Sequence, residues 1–258
     1  MTNYVLYNAP QSTCSQRVRY VLHAKGLGFE EVRLDLFSGD QLKPDYLAIN
    51  PNGVVPTLVD DGSAIVDSAV IMEYLEDVHP DTAPLRPTDA KSVATMRSML
   101  RFIDEVSTPA VRIPSYNLAF LPHFQAMSAE AFEALCDSKP LRREFLKKMG
   151  RSGFPDADMQ EALGRLSRGV ERMAEWIAAS GGPWLMGRQM TLADIAVMPV
   201  IVRMHDINLG HLWDAFPAIE GWRRALQATP EYRATYYHGA LLTEKYPHLK
   251  QQLSRKAG

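Results

Sequence analysis

The chain has 258 residues, 46% hydrophobic and 22% charged, which is enough apolar content for one large core or two modest ones and excludes a disordered chain. With 28 basic residues against 30 acidic ones the net charge is −2, so there is no whole-chain positive field to attract nucleic acid or an acidic membrane. Two cysteines, Cys14 and Cys136, are too few for a disulfide framework. No run of about 18 apolar residues offers a membrane span, and the opening MTNYVLYNAP lacks the basic flank and apolar stretch of a signal peptide. A cytoplasmic location without nucleic-acid or membrane partners is expected.

In chain order, Tyr4 to Tyr7 reads as a short strand, and Ser15 to Lys25 as a helix ended by Gly26. Phe29 to Leu36 reads as a second strand and Gln41 to Ile49 as a short helix before the turn Asn50-Pro51-Asn52-Gly53. Thr57-Leu58-Val59 and Ala64-Ile65-Val66 flank Asp60-Asp61-Gly62 as a hairpin. Ser68 to Val78 closes the unit as a helix with Val70, Ile71, Tyr74 and Leu75 on one face. The order is βαβ then αββα.

Between Pro80 and Pro87 the three prolines cannot continue a helix or a central strand, and the segment reads as a linker. Beyond it the pattern is helical. Lys91 to Val106 is one expected helix, and Met159 to Ser180 is another with Leu163, Leu166, Val170, Met173 and Ile177 in a stripe. Thr191-Leu192-Ala193-Asp194 forms a capping box for a buried helix, and Phe216-Pro217 opens a helix carrying Trp222 and Leu226. Between Arg112 and Asp158, aromatics alternate with prolines 114, 122, 140 and 155, as in a helical insertion that covers a cleft. The expected class is α+β, with a sheet-bearing domain over 1–80, a linker over 81–90 and an all-helical domain over 91–258.

Four local features carry a family resemblance. They are Ser12-Thr13-Cys14-Ser15-Gln16-Arg17-Val18-Arg19 after the first strand, Asn50-Pro51 followed by Gly53-Val54-Val55-Pro56-Thr57-Leu58, Asp67-Ser68 opening a helix, and Thr191-Leu192-Ala193-Asp194 in the helical half. In order and spacing they resemble the cytosolic glutathione transferase superfamily over nearly the whole chain. The first motif looks like the serine-type signature of the zeta and tau classes. The length and Gly153-Phe154-Pro155 look more like bacterial β-etherases, which cleave lignin-derived aryl ethers with glutathione. The resemblance implies a thioredoxin-like glutathione-binding domain, glutathione as co-substrate, no metal and a homodimer.

A thiol titrates near pH 8.5 and reacts as its thiolate, so a site must favour that form with hydroxyl donors and a helix N-terminus. Ser12, Thr13 and Ser15 stand where the first strand meets the first helix, and each can donate a hydrogen bond or simply cap the helix. By resemblance Ser12 is the first choice, five residues before Arg17, and Ser15 the second. Cys14 falls two residues past the position cysteine-using relatives employ, and is expected buried and inert; Cys136 reads as incidental. The resemblance further implies that Ser68 holds the γ-glutamyl carboxylate and Asp67 faces its ammonium. Val55-Pro56 would form a cis turn that pairs with the peptide backbone. Gln41 and Lys43 could reach the glycyl carboxylate, or could simply be a solvated helix face.

For the second substrate, an apolar pocket between the domains draws on Ile113, Tyr116, Asn117, Phe120 and Phe124, while Met99, Phe102 and Ile103 are expected in the core. Asp194 is assigned to folding. The leading reading is thiolate attack on a hydrophobic or aromatic electrophile, with β-aryl ether cleavage as its special case. A zeta-type maleyl isomerase would instead need pocket cations, for which Arg17, Arg112 and Lys91 are candidates. A non-catalytic glutathione-binding stress or regulatory module is the third reading.

Overall fold

The computed structural model describes residues 4–256. Its four-stranded sheet has the order β2-β1-β3-β4, with β1 at Tyr4–Asn8, β2 at Phe29–Arg33, β3 at Thr57–Asp60 and β4 at Ser63–Val66. β1 runs parallel to β2 and antiparallel to β3, and the β3–β4 hairpin sets Asp60 opposite Ser63. Helices α1, Thr13–Ala24, and α3, Ser68–Val78, complete the unit. Val55–Pro56 is cis.

Two expected elements are shorter than the sequence suggests. β2 stops at Arg33 rather than Leu36, because Asp35 folds the chain back by accepting hydrogen bonds from the Phe37 and Ser38 amides. The helix expected over 41–49 begins only at Pro44, as α2, Pro44–Ile49, after a single 3₁₀ turn at Asp40–Leu42. Pro44 takes the first helical position, where its missing N–H is harmless.

Between α3 and α4, Ala90–Phe102, the chain has no helix or strand among the described residues. It is fastened by a buried ion pair, Lys25 Nζ to Glu76 at 2.6 Å. Lys25 also donates to the His79 and Thr82 carbonyls, and Glu76 accepts from the Leu85 amide. These extra bonds satisfy charges that would otherwise be expensive to bury.

The helix expected over 91–106 does not end there. α4 continues through a widened turn at Ile103–Ser107 into α5, Thr108–Ser115, then through a second at Tyr116–Phe120 into α6, Leu121–Gln125. Each widened turn ends two residues before a proline, Pro109 or Pro122. A proline ring collides with the carbonyl four residues back, and a widened turn moves that carbonyl aside. The freed Glu105 carbonyl accepts from Arg165 at 2.6 Å.

The remaining helices are α7, Ala129–Asp137; α8, Arg143–Met149; α9, Asp156–Ser180; α10, Leu192–Asp206; α11, Pro217–Gln227; α12, Pro230–Thr235; α13, Leu242–Lys245; and α14, Pro247–Lys256. α9 starts three residues before the expected Met159, with Asp156 and Asp158 favourably placed in its first turn. α10 is buried along nearly its whole length. One apolar core runs from Leu6, Val18 and Ile71 in the sheet-bearing part to Leu100, Ile195, Met198 and Trp222 in the helical part. A second cluster, Phe124, Phe132, Leu146 and Phe154, fills the insertion. No helix of the described residues is long and apolar enough to cross a membrane.

Candidate active site

α1 begins at a cavity. Ser12 is its N-cap, with an extended backbone and Oγ accepting from the Ser15 amide at 3.2 Å. That bond uses a lone pair, so the Ser12 O–H remains free to donate. The Thr13 and Cys14 amides lie in the first helical turn, where no intrahelical acceptor exists. Gln11 to Cys14 form one wall of a cavity of about 390 Å³. The same side is completed by Arg33 to Phe37, Gln41 and the turn Asn52 to Val55.

The facing wall comes from the helical half. Tyr116, Phe120 and Phe124 line it, with Tyr116 edge-on to Phe120 and parallel to Phe124 at a centroid separation of 6.0 Å. Phe37 crosses from the sheet side to meet Phe120 and His123, at 5.3 and 4.4 Å. Tyr246, between α13 and α14, closes the rim against Phe37 and Phe120. Burial raises the Tyr116 phenol above its ordinary pKa, against Arg112 and Arg142, which pull it down. Burial likewise lowers His123 and so favours its neutral form.

Of the three candidate hydroxyls, Ser12 and Thr13 line the cavity. Ser15 does not: it is fully buried, and its Oγ accepts from the Ala9 amide at 3.3 Å. Cys14, expected buried, is partly exposed on the cavity wall, because the second residue of a helix has no preceding turn to cover it. Cys136 is buried in the second apolar cluster.

Val55 lines the cavity, while Pro56, Asp67 and Ser68 stand outside its wall. Asp67 caps α3 by accepting from the Ala69 and Val70 amides. Ser68 is 5% exposed, and its Oγ accepts from Arg17 at 3.4 Å. Gln41 is buried on the wall, with Nε2 given to the Leu36 carbonyl and Oε1 lacking a partner. Lys43 points outward and pairs with Asp40.

Ile113 packs beside the second apolar cluster, off the cavity. Asn117 is also off the cavity. It exchanges two 2.8 Å hydrogen bonds with the Phe154 backbone and so pins the Gly153 loop. A Cβ at Gly153 would lie 2.9 Å from Asn117 Oδ1, and φ there is +89°, so only glycine fits. Met99 and Ile103 are core residues, as expected, and Phe102 packs against Trp176.

Among the pocket cations weighed from sequence, Arg112 lines the cavity and Arg17 and Lys91 do not. Arg17 is 1% exposed and committed to Asp104, Thr108 Oγ1 and the Ala196 carbonyl. Sequence reading missed Lys139, Arg142, Arg203, His123 and Tyr246, which also line the site. Asp194 has the structural role expected, accepting from the Leu185 and Thr191 amides, Thr191 Oγ1 and Trp222 Nε1.

Known proteins resemble the chain in sequence and in fold. Residues 11–78 match the family model of the glutathione S-transferase N-terminal domain, and residues 125–230 that of its C-terminal domain. Protein LigF of Sphingobium sp. strain SYK-6 is 33% identical over 74% of this chain and 74% of its own length. The crystal structure of that beta-etherase superposes with a TM-score of 0.82 at 28% identity, covering 91% of this chain and 98% of the other. Glutathione S-transferase 1 of Dianthus caryophyllus is 30% identical over 76% of this chain and 75% of its own. Maleylacetoacetate isomerase of Pseudomonas aeruginosa is 27% identical over 90% and 94%. A helix-capping serine on a cavity between sheet and helices is thus joined by sequence likeness along most of the chain, which belongs to the glutathione S-transferase family.

Proposed function

We propose that the chain catalyses attack of the glutathione thiolate, held at the start of α1, on an electrophilic carbon of an aromatic substrate, with β-aryl ethers as the preferred class. The observation that carries this reading is Ser12, a helix cap whose free O–H lies on the same cavity as an aromatic wall. The Ser12 hydroxyl and the α1 amides stabilise the sulfur anion. Val55 offers its backbone to the peptide, Gln41 Oε1 accepts one of its N–H groups, and Ser68 with Asp67 grips the γ-glutamyl end. The electrophile's rings stack among Tyr116, Phe120 and Phe124. In the β-aryl ether case a C–S bond forms as the C–O bond breaks, and the phenolate leaves with the electron pair.

The test is glutathione-dependent turnover of a β-aryl ether, followed by release of its phenol. Thioether formation with stoichiometric consumption of glutathione supports the reading. Conversion of a maleyl diacid without consumption of glutathione would replace it with the isomerase, and glutathione binding with no turnover of any aryl electrophile would replace it with the non-catalytic module.

A further inference from the structure

Apart from the exposed Lys245 and from Arg203, which is hydrogen-bonded to neutral acceptors, three cations on the helical wall of the cavity have no carboxylate partner among the described residues. Arg112 comes from α5, and Lys139 and Arg142 from the loop between α7 and α8. Their immediate neighbours are paired: Arg143 and Lys147 with Asp137, Lys147 also with Glu133, and Lys148 with Asp158. Among the described residues none of the inward three has a carboxylate partner. Arg112 has only the Phe145 ring, at 5.6 Å, and Arg142 only the Leu141 carbonyl. The one acidic residue on the cavity wall, Asp35, is committed to the Phe37 and Ser38 amides.

The other cavity arginines are satisfied. Arg33 pairs with Glu31, and Arg203 donates to Ser115 Oγ and the Gln11 carbonyl. Burial lowers the pKa of Arg112 and of Lys139, and Arg142 lowers both further. Like charges converging beside Leu135 and the buried Leu146 are unfavourable unless an anion enters with the ligand. The Tyr116 hydroxyl, without a protein hydrogen bond among the described residues, adds a neutral donor on the same wall.

We infer that Arg112, Lys139 and Arg142 form a subsite for an anionic group on the electrophile, so that the second substrate is an aryl compound bearing a carboxylate. The inference rests on the transferase reading above. It puts the ring among Tyr116, Phe120 and Phe124 and its charge beyond them, in the helical half. In that reading the tripeptide's own carboxylates lie on the sheet side, one near Gln41 on the opposite wall and the other beyond that wall at Ser68.

The test uses a chloronitrobenzoate and its methyl ester, which differ in that one charge. In turnover, the thiol loses its proton, the thiolate carbon–sulfur bond forms and chloride departs with its electron pair. Calorimetric binding of the same pair to the glutathione-loaded protein needs no turnover. The carboxylate is expected to bind about tenfold or more tightly than the ester, the scale of one charge-assisted hydrogen bond. That ratio should collapse in Arg112→Gln and Arg142→Gln, shrink in Lys139→Gln, and largely survive in Arg142→Lys, which reports on folding.

Equal binding of acid and ester, or a ratio that persists in all three glutamine variants, overturns the subsite. So does an unchanged ratio accompanied by weakened glutathione binding, which would assign the cations to the tripeptide. A clear preference in binding with no turnover of either compound would instead keep the subsite and sink the transferase reading.

Discussion

Ser12→Ala separates capping from catalysis when it is read beside Ser12→Gly. The Ser12 Oγ accepts from the Ser15 amide at 3.2 Å, so alanine removes a cap and should cost about 1 kcal/mol of stability, whereas glycine costs only a few tenths. Both variants delete the hydroxyl facing the cavity. A donor to a thiolate contributes about 1.5–3 kcal/mol, or roughly one to two pKa units. A free thiol of pKa about 8.5 is about 3% ionised at pH 7, so losing a depression of about 1.5 units cuts the thiolate fraction about fifteenfold. The thiolate regained is intrinsically more nucleophilic, which returns part of that loss and leaves a net fall of about three- to fivefold at pH 7. The assay is the pH profile of kcat/KM with an aryl electrophile, with the absorbance of the bound thiolate as an independent readout. Both variants should move the acid limb upward by the same amount despite their different stabilities, and both should approach or exceed native rates at high pH. An unmoved limb in Ser12→Ala and Ser12→Gly alike would refute the assignment and turn attention to Thr13.

Asp194→Ala leaves the Leu185 and Thr191 amides and Trp222 Nε1 without their buried acceptor. A loss of about 3–5 kcal/mol is expected in urea unfolding, with a changed Trp222 emission. Replacing Arg17 by lysine exchanges a three-nitrogen fork for one ammonium that cannot reach Ala196, Asp104 and Thr108 together. About 2–4 kcal/mol of stability should go, and KM should rise for glutathione and electrophile together; stability loss with both KM values intact would refute the coupling. Hydrogen bonds from Arg223 and Arg224 hold the Glu220 carboxyl down at about 2. Its contribution is therefore complete above its unfolded pKa of about 4.3 and is lost as pH falls toward about 2, so Glu220→Gln should flatten the acid side of a urea-midpoint titration over that window.

The sheet was legible because its turns are chemically marked. Asp61 and Gly62 adopt the positive φ the β3–β4 hairpin requires, and Gly26 does so after α1. The α4–α6 run was not legible, because local rules end a helix near a proline. Its continuation depends on two widened turns and on Arg165 reaching the Glu105 carbonyl across 60 positions. The site divides in the same way. Ser12, Thr13 and Ser15 are all plausible caps in sequence, but Ser15, about half a helical turn past Thr13, faces the core and not the cavity. Asn117 looked like a polar group in an aromatic pocket, yet its partner lies 37 residues on, at Phe154. Lys139 and Arg142 carried no signal, since a basic residue in an irregular segment ordinarily faces water. Only the placement of α8 turns them inward, while Arg143 and Lys147 stay outside with their carboxylates.

Arg17 ties these parts into one frame. It lies on α1 five residues past Ser12, so it follows the helix end on which the proposed thiolate rests. Its guanidinium reaches Ser68 Oγ at the start of α3, the Ala196 carbonyl inside α10, and Asp104 and Thr108 where α4 widens into α5. Four hydrogen bonds donated by a buried cation therefore fix the distance between the proposed sulfur site, the proposed grip on the tripeptide's far end and the helix run that presents Arg112 and Tyr116. In the transferase reading the reacting atoms come from two separate molecules, one held by each half of the fold. Their alignment is set when the halves are joined, and the sequence joins them through the same short helix proposed to activate the sulfur.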